Sequence, residues 1–503
     1  MRYVIIVKAL LCLLWCISLC RIDAAEYRNG QLWLEVLLAS GTQMNISSSS
    51  GSPPLLYVSE RNSPISRELA GNLSIKLINE DKLAYWGFLN GTEPWTGESA
   101  GVLKECFAWE DSNLVIKREN LLYAEESFSF RENARRYALE AGIPEQRITP
   151  IPLINATVRI TAGAGEYYFE TPLAIHSTAP VSIGGVQLGY EGEFVLKTVQ
   201  DRIVVTHLLP LEDYIAGVIQ NEIGNNAPLE ALKVQAVAAR THAVSLLLYN
   251  RHTSDGYDLC NSTHCQVYKG KYLLNDAVRA AVDSTRSEVL LINGRIADAT
   301  YHSACGGKTD SSAGIWNGDP LPHLMGVTCI DAAGELDLSD ESQARRWIDT
   351  ELAFPGMSSW ERASLTWSKT ISRQALAANL GMKYVSRVVI NQRGSSGRIT
   401  DITFHGSKTV RLTSEYKIRQ AFGSAMSSFF YIRGNYVPLR GGGAEIPSLS
   451  SSLIIRGKGS GHGVGMCQVG TLRRAREGAS YRDILAQYYP GTVISSNWRN
   501  SGG

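Results

Sequence analysis

The sequence predicts an α+β protein: a β-rich N-terminal region followed by a C-terminal domain of mixed strands and helices. Three observations carry that expectation. Short apolar runs separated by Gly, Ser and Pro fill most of the first two hundred residues. Two helical patterns follow one another, with stripes at Ile215–Glu222 and Leu229–Leu247. Strands then return around Val388–Phe404, ahead of a glycine-rich loop at Gly457–Gly465. The 503 residues are enough for about three domains. Lys and Arg number 49 against 48 Asp and Glu, a formal charge of +1. That balance excludes bulk polyanion binding, and so a nucleic-acid partner, as the main role.

The first element is an address. Arg2 and Lys8 precede an apolar run from Ala9 to Leu19, and Ala24-Ala25 supplies a small-residue exit. This is the pattern of a secretory signal over 1–25. The expected location is therefore outside the cytoplasm, in the periplasm or cell envelope, with membrane attachment only through an uncleaved signal anchor. Leu19, just before Cys20, is larger than a lipoprotein signal wants. Without the signal the chain is about −1 and keeps Cys106, Cys260, Cys265, Cys305, Cys329 and Cys467, an even set that permits disulfides after export.

Residues 26–120 read as short strands such as Leu32-Trp33-Leu34 and Leu55-Leu56-Tyr57-Val58, with a loop at Ser47–Pro54. Residues 121–184 form a small α+β segment. Ala134, Tyr137, Ala138 and Ala141 fall at helical spacing there, between strand-like runs. That order resembles the SPOR domain, which binds septal glycan; a generic α+β layer is the alternative. From Ala156 to Val205 strands alternate with glycine turns.

The first long helix carries an unusual acid. Ile215, Val218 and Ile219 lie at i, i+3 and i+4, and Glu222 continues their stripe at i+7, before a stop signal at Gly224. A carboxyl on a buried face has its pKa raised, which suits a general acid. The alternative is a helix-end glutamate turned to solvent. The second helix opens with Pro228 and Glu230 and packs through Leu229, Leu232, Ala236, Ala239, Ala243 and Leu247. Lys233 and Arg240 share one face, Gln235 and His242 another. Arg240 would either point into a cleft or fix an acid through a bidentate pair.

Two clusters of metal-ligating residues follow. His252, Cys260, His264 and Cys265 offer two imidazoles and two thiols within fourteen residues. A structural zinc and a local Cys260–Cys265 disulfide are the two readings. Cys305 and Cys329 form a second disulfide candidate, with a nucleophilic Cys305 as the weaker idea. Gly457–Gly465 lacks the Lys-Ser/Thr of a phosphate loop. Its alternating glycines permit unusual φ and close backbone approach, and would set His462 on a site wall unless the loop is only a tight core crossing.

Together these segments resemble the SpoIID/LytB family of bacterial cell-wall proteins. The resemblance rests on Leu211-Glu-Asp-Tyr-Ile-Ala-Gly-Val-Ile-Gln-Asn-Glu222 and Leu229-Glu-Ala-Leu-Lys-Val-Gln-Ala-Val-Ala-Ala-Arg240-Thr241. It continues through Cys260–Gly270, Tyr301-His-Ser-Ala-Cys-Gly-Gly-Lys-Thr309, Gly459-Ser-Gly-His-Gly-Val-Gly-Met-Cys-Gln468 and Tyr488–Thr492. It spans about 185–495 and implies a SpoIID-type catalytic domain behind β-rich accessory regions.

The resemblance implies a lytic transglycosylase that cleaves MurNAc–GlcNAc bonds in glycan strands stripped of stem peptides. The rival reading is a glycan-binding modifier that stimulates an amidase. A zinc-dependent hydrolase is a third and weaker reading. Glu222 takes the place of the family's catalytic acid. Arg240, Tyr301, His302 and His462 fall in its cleft motifs. Gln235, His242, Ser303, Gly306, Gly307, Gly463 and Gln468 lie in the same motifs as expected substrate contacts. The family usually has Tyr where this chain has His242, and Ser is common at Cys467. Zinc at His252, Cys260, His264 and Cys265 would be structural, since the expected chemistry requires no cofactor.

Overall fold

A computed structural model describes residues 26–28, 30–49, 54–60, 67–77, 84–88, 107–110, 113–118, 121–124, 148–152, 156–270, 275–316 and 318–498. The chain divides into two compact units. One comprises 24–210 with 252–261, and the other 211–251 with 262–503. The division at Pro210 falls inside the 185–495 stretch that carries the resemblance.

In the N-terminal unit, twelve strands among the described residues join one mainly antiparallel sheet. Its centre is β1 (Gln31–Gly41), β2 (Leu173–Ile183), β3 (Val186–Val199) and β4 (Arg202–Pro210). β1 pairs with β4, β4 with β3, and β3 with β2. Leu32, Leu34, Val36 and Leu38 alternate into the core along β1, the period of a strand that buries one face. Gly184 and Gly185 both take positive φ between β2 and β3. Two consecutive left-handed residues are what a two-residue hairpin turn requires. A separate three-stranded meander covers Phe107–Glu110, Asn113–Arg118 and Leu121–Ala124. The helix expected around Ala134–Ala141 lies outside the described residues, as does the signal segment.

The C-terminal unit begins with α1 (Leu211–Glu222) and α2 (Leu229–Leu248). Glu212 and Asp213 in the first turn of α1 complement the helix dipole. Gly224, at φ 87°, ends the run. α2 is buried almost all round rather than along one stripe. Leu229, expected in its packing face, is exposed, while Gln235, Arg240, Thr241 and Ser245 are buried. An all-round buried helix is a core element, and Val234, Val237 and Ala238 pack there with Leu290, Val464, Tyr488 and Tyr489.

A second core gathers around the antiparallel strands Val385–Arg393 and Ile399–Gly406, through Val388, Ile390, Ile402 and Phe404. Further on, β5 (Tyr301–His302) pairs in parallel with β6 (Met466–Cys467), with Tyr301 opposite Met466 and His302 opposite Cys467. α3 (Gln468–Arg476) follows directly. Among the described residues no helix is long and apolar enough to cross a membrane.

Candidate active site

Glu222 closes α1. Ile215, Val218 and Ile219 are fully buried beneath it, and the side chain of Glu222 lines a cleft in the C-terminal unit. The backbone N–H of Val267 donates to Oε1 at 2.8 Å, and Gln468 Nε2 approaches Oε2 at 3.4 Å. Gln468 Nε2 also donates to Gln235 Oε1 at 3.2 Å, so a buried amide pair backs the acid. Burial raises the Glu222 pKa above the ordinary carboxyl value. The Val267 and Gln468 hydrogen bonds and the nearby His242 oppose that shift without cancelling it.

The raised pKa has a consequence for stability. An unfolded Glu222 titrates near 4.5, whereas the folded protein holds the proton to higher pH. The stabilising contribution of the protonated form is therefore complete below about 4.5 and is lost as pH rises through the folded value. Glu222→Gln cannot ionise. Its urea midpoint should exceed that of the wild type at neutral and alkaline pH, with the gap closing as pH falls toward 4.5. A gap that does not change with pH would contradict the burial of this carboxyl.

The cleft measures about 1080 Å³. It brings together, on its lining, Glu222, His242, Tyr301, His302, Ser303, His462 and Gln468 among the residues expected from sequence. Tyr301 Oη donates to Gln266 Oε1 at 3.0 Å, and Gln266 Nε2 donates to the Ala239 carbonyl. The Tyr301 phenol is pushed well above its ordinary range, first by burial and then by the charge of Glu222. It stays protonated beside the acid.

His242 Nδ1 is 2.9 Å from Asp298 Oδ1. His462 accepts the Val464 N–H at Nδ1 and donates from Nε2 to the Tyr301 carbonyl at 3.0 Å. Burial, and after it His302 and Arg398, hold its pKa well below the ordinary histidine range, so the ring is neutral.

The glycines around His462 act as expected for φ. Gly459, Gly461, Gly463 and Gly465 are all left-handed. Their close approach is to the protein itself. A Cβ at Gly463 would collide with the Arg398 guanidinium, and one at Gly465 with the Thr300 carbonyl oxygen. The loop is thus both a tight core crossing and the mount for a cleft histidine.

Several expected contacts are corrected. Arg240 is 0% exposed and lies off the cleft. Its Nε and Nη2 grip the Glu212 carboxylate at 3.0 and 2.6 Å, and Nη1 donates to the Glu288 carbonyl at 3.0 Å. It fixes an acid, as the bidentate alternative had it, and touches no ligand space. Gln235 is also fully buried and acts behind Glu222 through Gln468.

Gly306 and Gly307 are packing positions, closed by Lys458 and by Trp347 with Ala333. Gly463 lies beneath the loop against Arg398 and off the lining. The Cys305–Cys329 disulfide is not formed: both are thiols, as is Cys467, and the three sulfurs lie within 4.8 Å of one another. The sequence offered two cysteines for that place, and β5–β6 pairing brings a third.

Sequence reading missed the rim. Tyr249, Trp316 and Tyr416 line the cleft and are 73, 45 and 64% exposed. Exposed aromatic faces are typical ligand platforms, and Trp316 also stands 5.3 Å, centroid to centroid, from His462. Asp298 was missed as well. The only available signal was three isolated aromatics, and all three stand at helix ends: Tyr249 caps α2, Trp316 closes Ser312–Trp316 and Tyr416 lies in the first turn of Glu415–Ala421. If the cleft takes the glycan that the resemblance implies, Trp316→Ala should weaken binding to purified strands about tenfold with little change in stability. Unchanged affinity would remove Trp316 from the site.

Cys260 and Cys265 are buried and no disulfide joins them. Cys265 Sγ is 3.9 Å from His264 Nδ1. His252 Nδ1 pairs with Asp255 Oδ2 at 3.0 Å, the carboxylate support that metal-ligating histidines use. Two thiols and two imidazoles are a suitable donor set for tetrahedral zinc.

These features define an α+β protein with a half-buried glutamate of raised pKa, Glu222, on the wall of an aromatic-rimmed cleft. The family model described as Stage II sporulation protein, SpoIID, matches residues 199–291, and a domain of unknown function, DUF8618, matches 310–465. The chain belongs to the SpoIID family. It is 32% identical over 314 residues to an uncharacterized protein of Brachyspira hyodysenteriae, covering 62% of this chain and 73% of that one. It is 30% identical over 313 residues to the amidase enhancer of Bacillus subtilis, covering 56% of this chain and 40% of that protein. It is 26% identical over 307 residues to stage II sporulation protein D of the same species, covering 57 and 75%.

Proposed function

We propose that this protein remodels peptidoglycan in the cell envelope as a lytic transglycosylase, cleaving MurNAc–GlcNAc bonds of peptide-free glycan strands. The observation that carries the reading is Glu222, a carboxyl with a raised pKa on the cleft wall beside Tyr301 and Gln468; burial raises the Glu415 pKa as well, but that carboxyl faces Arg419 and Arg398. The other cleft carboxyls are engaged elsewhere. Asp298 is tied to His242, and Glu415 accepts the Ser428 N–H.

Hydrolytic glycosidases commonly need two carboxyls; this reaction needs one. The Val267 N–H holds Oε1 at 2.8 Å whereas the Gln468 amide reaches Oε2 only at 3.4 Å, so the acid proton belongs on Oε2, the more weakly engaged oxygen. Glu222 gives that proton to the glycosidic oxygen as the bond to C1 breaks. As carboxylate it then takes the proton of the muramyl C6 hydroxyl, whose oxygen closes on C1 to form the 1,6-anhydro ring. The nucleophile comes from the substrate and no water is consumed. The protein supplies position and a tuned acid. Tyr249, Trp316 and Tyr416 offer faces for sugar rings along the strand. The catalytic steps use no cofactor, and a zinc held by His252, Cys260, His264 and Cys265 would be structural.

A second reading is favoured by the relative named amidase enhancer: a glycan-binding modifier that stimulates an amidase. There Glu222 is a glycan contact. Incubation with denuded strands and with peptide-bearing sacculi separates the two. The enzyme releases soluble fragments from denuded strands only. A modifier releases none, and its Glu222→Gln variant still stimulates the amidase.

A further inference from the structure

Behind the cleft wall lies a cluster that the proposed reaction does not use. The sulfurs of Cys305, Cys329 and Cys467 lie within 4.8 Å of one another, and each residue is at most 2% exposed. They come from three places in the chain: the turn after β5, the loop before Ile330, and β6. Three buried thiols cannot be satisfied by one disulfide, and an odd thiol would be left in the core.

Two of the sulfurs already receive N–H donors. Cys467 Sγ accepts from Cys305 at 3.2 Å and Gly470 at 3.3 Å, and Cys305 Sγ accepts from Gly307 at 3.3 Å. Hydrogen bonds of this kind support metal-bound sulfur. The Tyr488 hydroxyl sits 3.3 Å from Cys329 Sγ.

A candidate fourth donor neighbours Cys467, outside the 4.8 Å set of the three sulfurs. His302 is opposite Cys467 in the β5–β6 register. It is 4% exposed, and its Nδ1 lies 3.1 Å from the Val464 carbonyl, to which it donates. That bond puts the proton on Nδ1 and leaves Nε2 as the lone-pair nitrogen, and Nε2 has no hydrogen-bond partner among the described residues. An imidazole held by a backbone carbonyl through one nitrogen, with the other unpartnered and buried, is in the arrangement of a metal ligand.

We propose that Cys305, Cys329 and Cys467 form a second metal site that holds one thiophilic divalent ion of the zinc class, with Nε2 of His302 as the neighbouring nitrogen that would complete the set. Three thiolates and one imidazole are a closed structural set with no position left for water. Binding releases the three thiol protons and leaves the site with one net negative charge, which the Cys305, Gly307 and Gly470 N–H groups face. The ion ties β5 to β6 and to the 305 and 329 loops, so it fixes the back of the wall that carries Tyr301 and His462. It is distinct from the 252–265 set and does not rest on the transglycosylase reading.

The test is metal content of the full-length protein, purified under reducing conditions and measured by elemental analysis, with Cys467→Ser and Cys265→Ser alongside. Cys467→Ser should hold one equivalent of zinc fewer than the wild type, whatever the 252–265 segment holds. Cys265→Ser should retain an equivalent and, after cobalt exchange, show the thiolate-to-cobalt absorption of a tetrahedral site. Peptide mapping of the unreduced wild type covers the case in which a variant fails to fold. Three unbridged thiols at 305, 329 and 467 that resist alkylation until a chelator is added support the site. A Cys305–Cys329 disulfide, or a metal content unchanged by Cys467→Ser, overturns it.

Discussion

Glu222→Gln should lose glycan cleavage by about 10²- to 10⁴-fold, the usual contribution of a positioned general acid or base, while the protein folds and binds strands as before. The amide keeps the size of the side chain and can still accept the Val267 N–H. What it lacks is a transferable proton. The loss should therefore appear in kcat, with KM for denuded strands little changed, because the missing interaction acts on the reacting bond. The wild-type rate should fall on the alkaline side as the carboxyl ionises through its raised pKa. A variant that cleaves at the wild-type rate would remove Glu222 from the chemistry.

Arg240→Ala should have the largest effect on stability. The guanidinium is fully buried and holds Glu212 bidentately while it donates to the Glu288 carbonyl. Removing one partner leaves a carboxylate without its counter-charge and a carbonyl without its donor. Breaking such a pair costs about 3–5 kcal/mol. The urea midpoint of the C-terminal unit should fall sharply. Arg240→Lys should recover only part of the loss, since an ammonium cannot reproduce the planar fork. Had Arg240 been a substrate contact, the same change would raise KM and leave the midpoint in place. That result would restore the role expected from the motif.

The contrast between these two residues shows what was legible in the sequence. Glu222 stood out because an acid at i+7 breaks an otherwise apolar stripe, and the helix end at Gly224 is written in the chain. Arg240 also stood out, but periodicity only says which residues share a face. It does not say whether that face meets a cleft or a core. With α2 buried nearly all round, every polar residue on it could be read as pointing somewhere useful, and Arg240 and Gln235 were misplaced for that reason. The β-rich N-terminal unit was legible because β1 alternates cleanly.

The remaining features depend on tertiary pairing. Cys467 lies 162 residues from Cys305 and reaches it only through the β5–β6 register. Tyr249, Trp316 and Tyr416 come from three separate segments and make a rim only once folded. Asp298 became part of the site through His242.

The central claim is that one protein carboxyl drives an intramolecular ring closure rather than a hydrolysis. Mass spectrometry of fragments from denuded strands, incubated with the wild type and with Glu222→Gln, tests it most directly. The wild type should release fragments ending in 1,6-anhydro-MurNAc, each lighter than the hydrolytic product by one water, and the variant should release none. Fragments with ordinary reducing ends would contradict it, because they require an activated water and a second group to activate it.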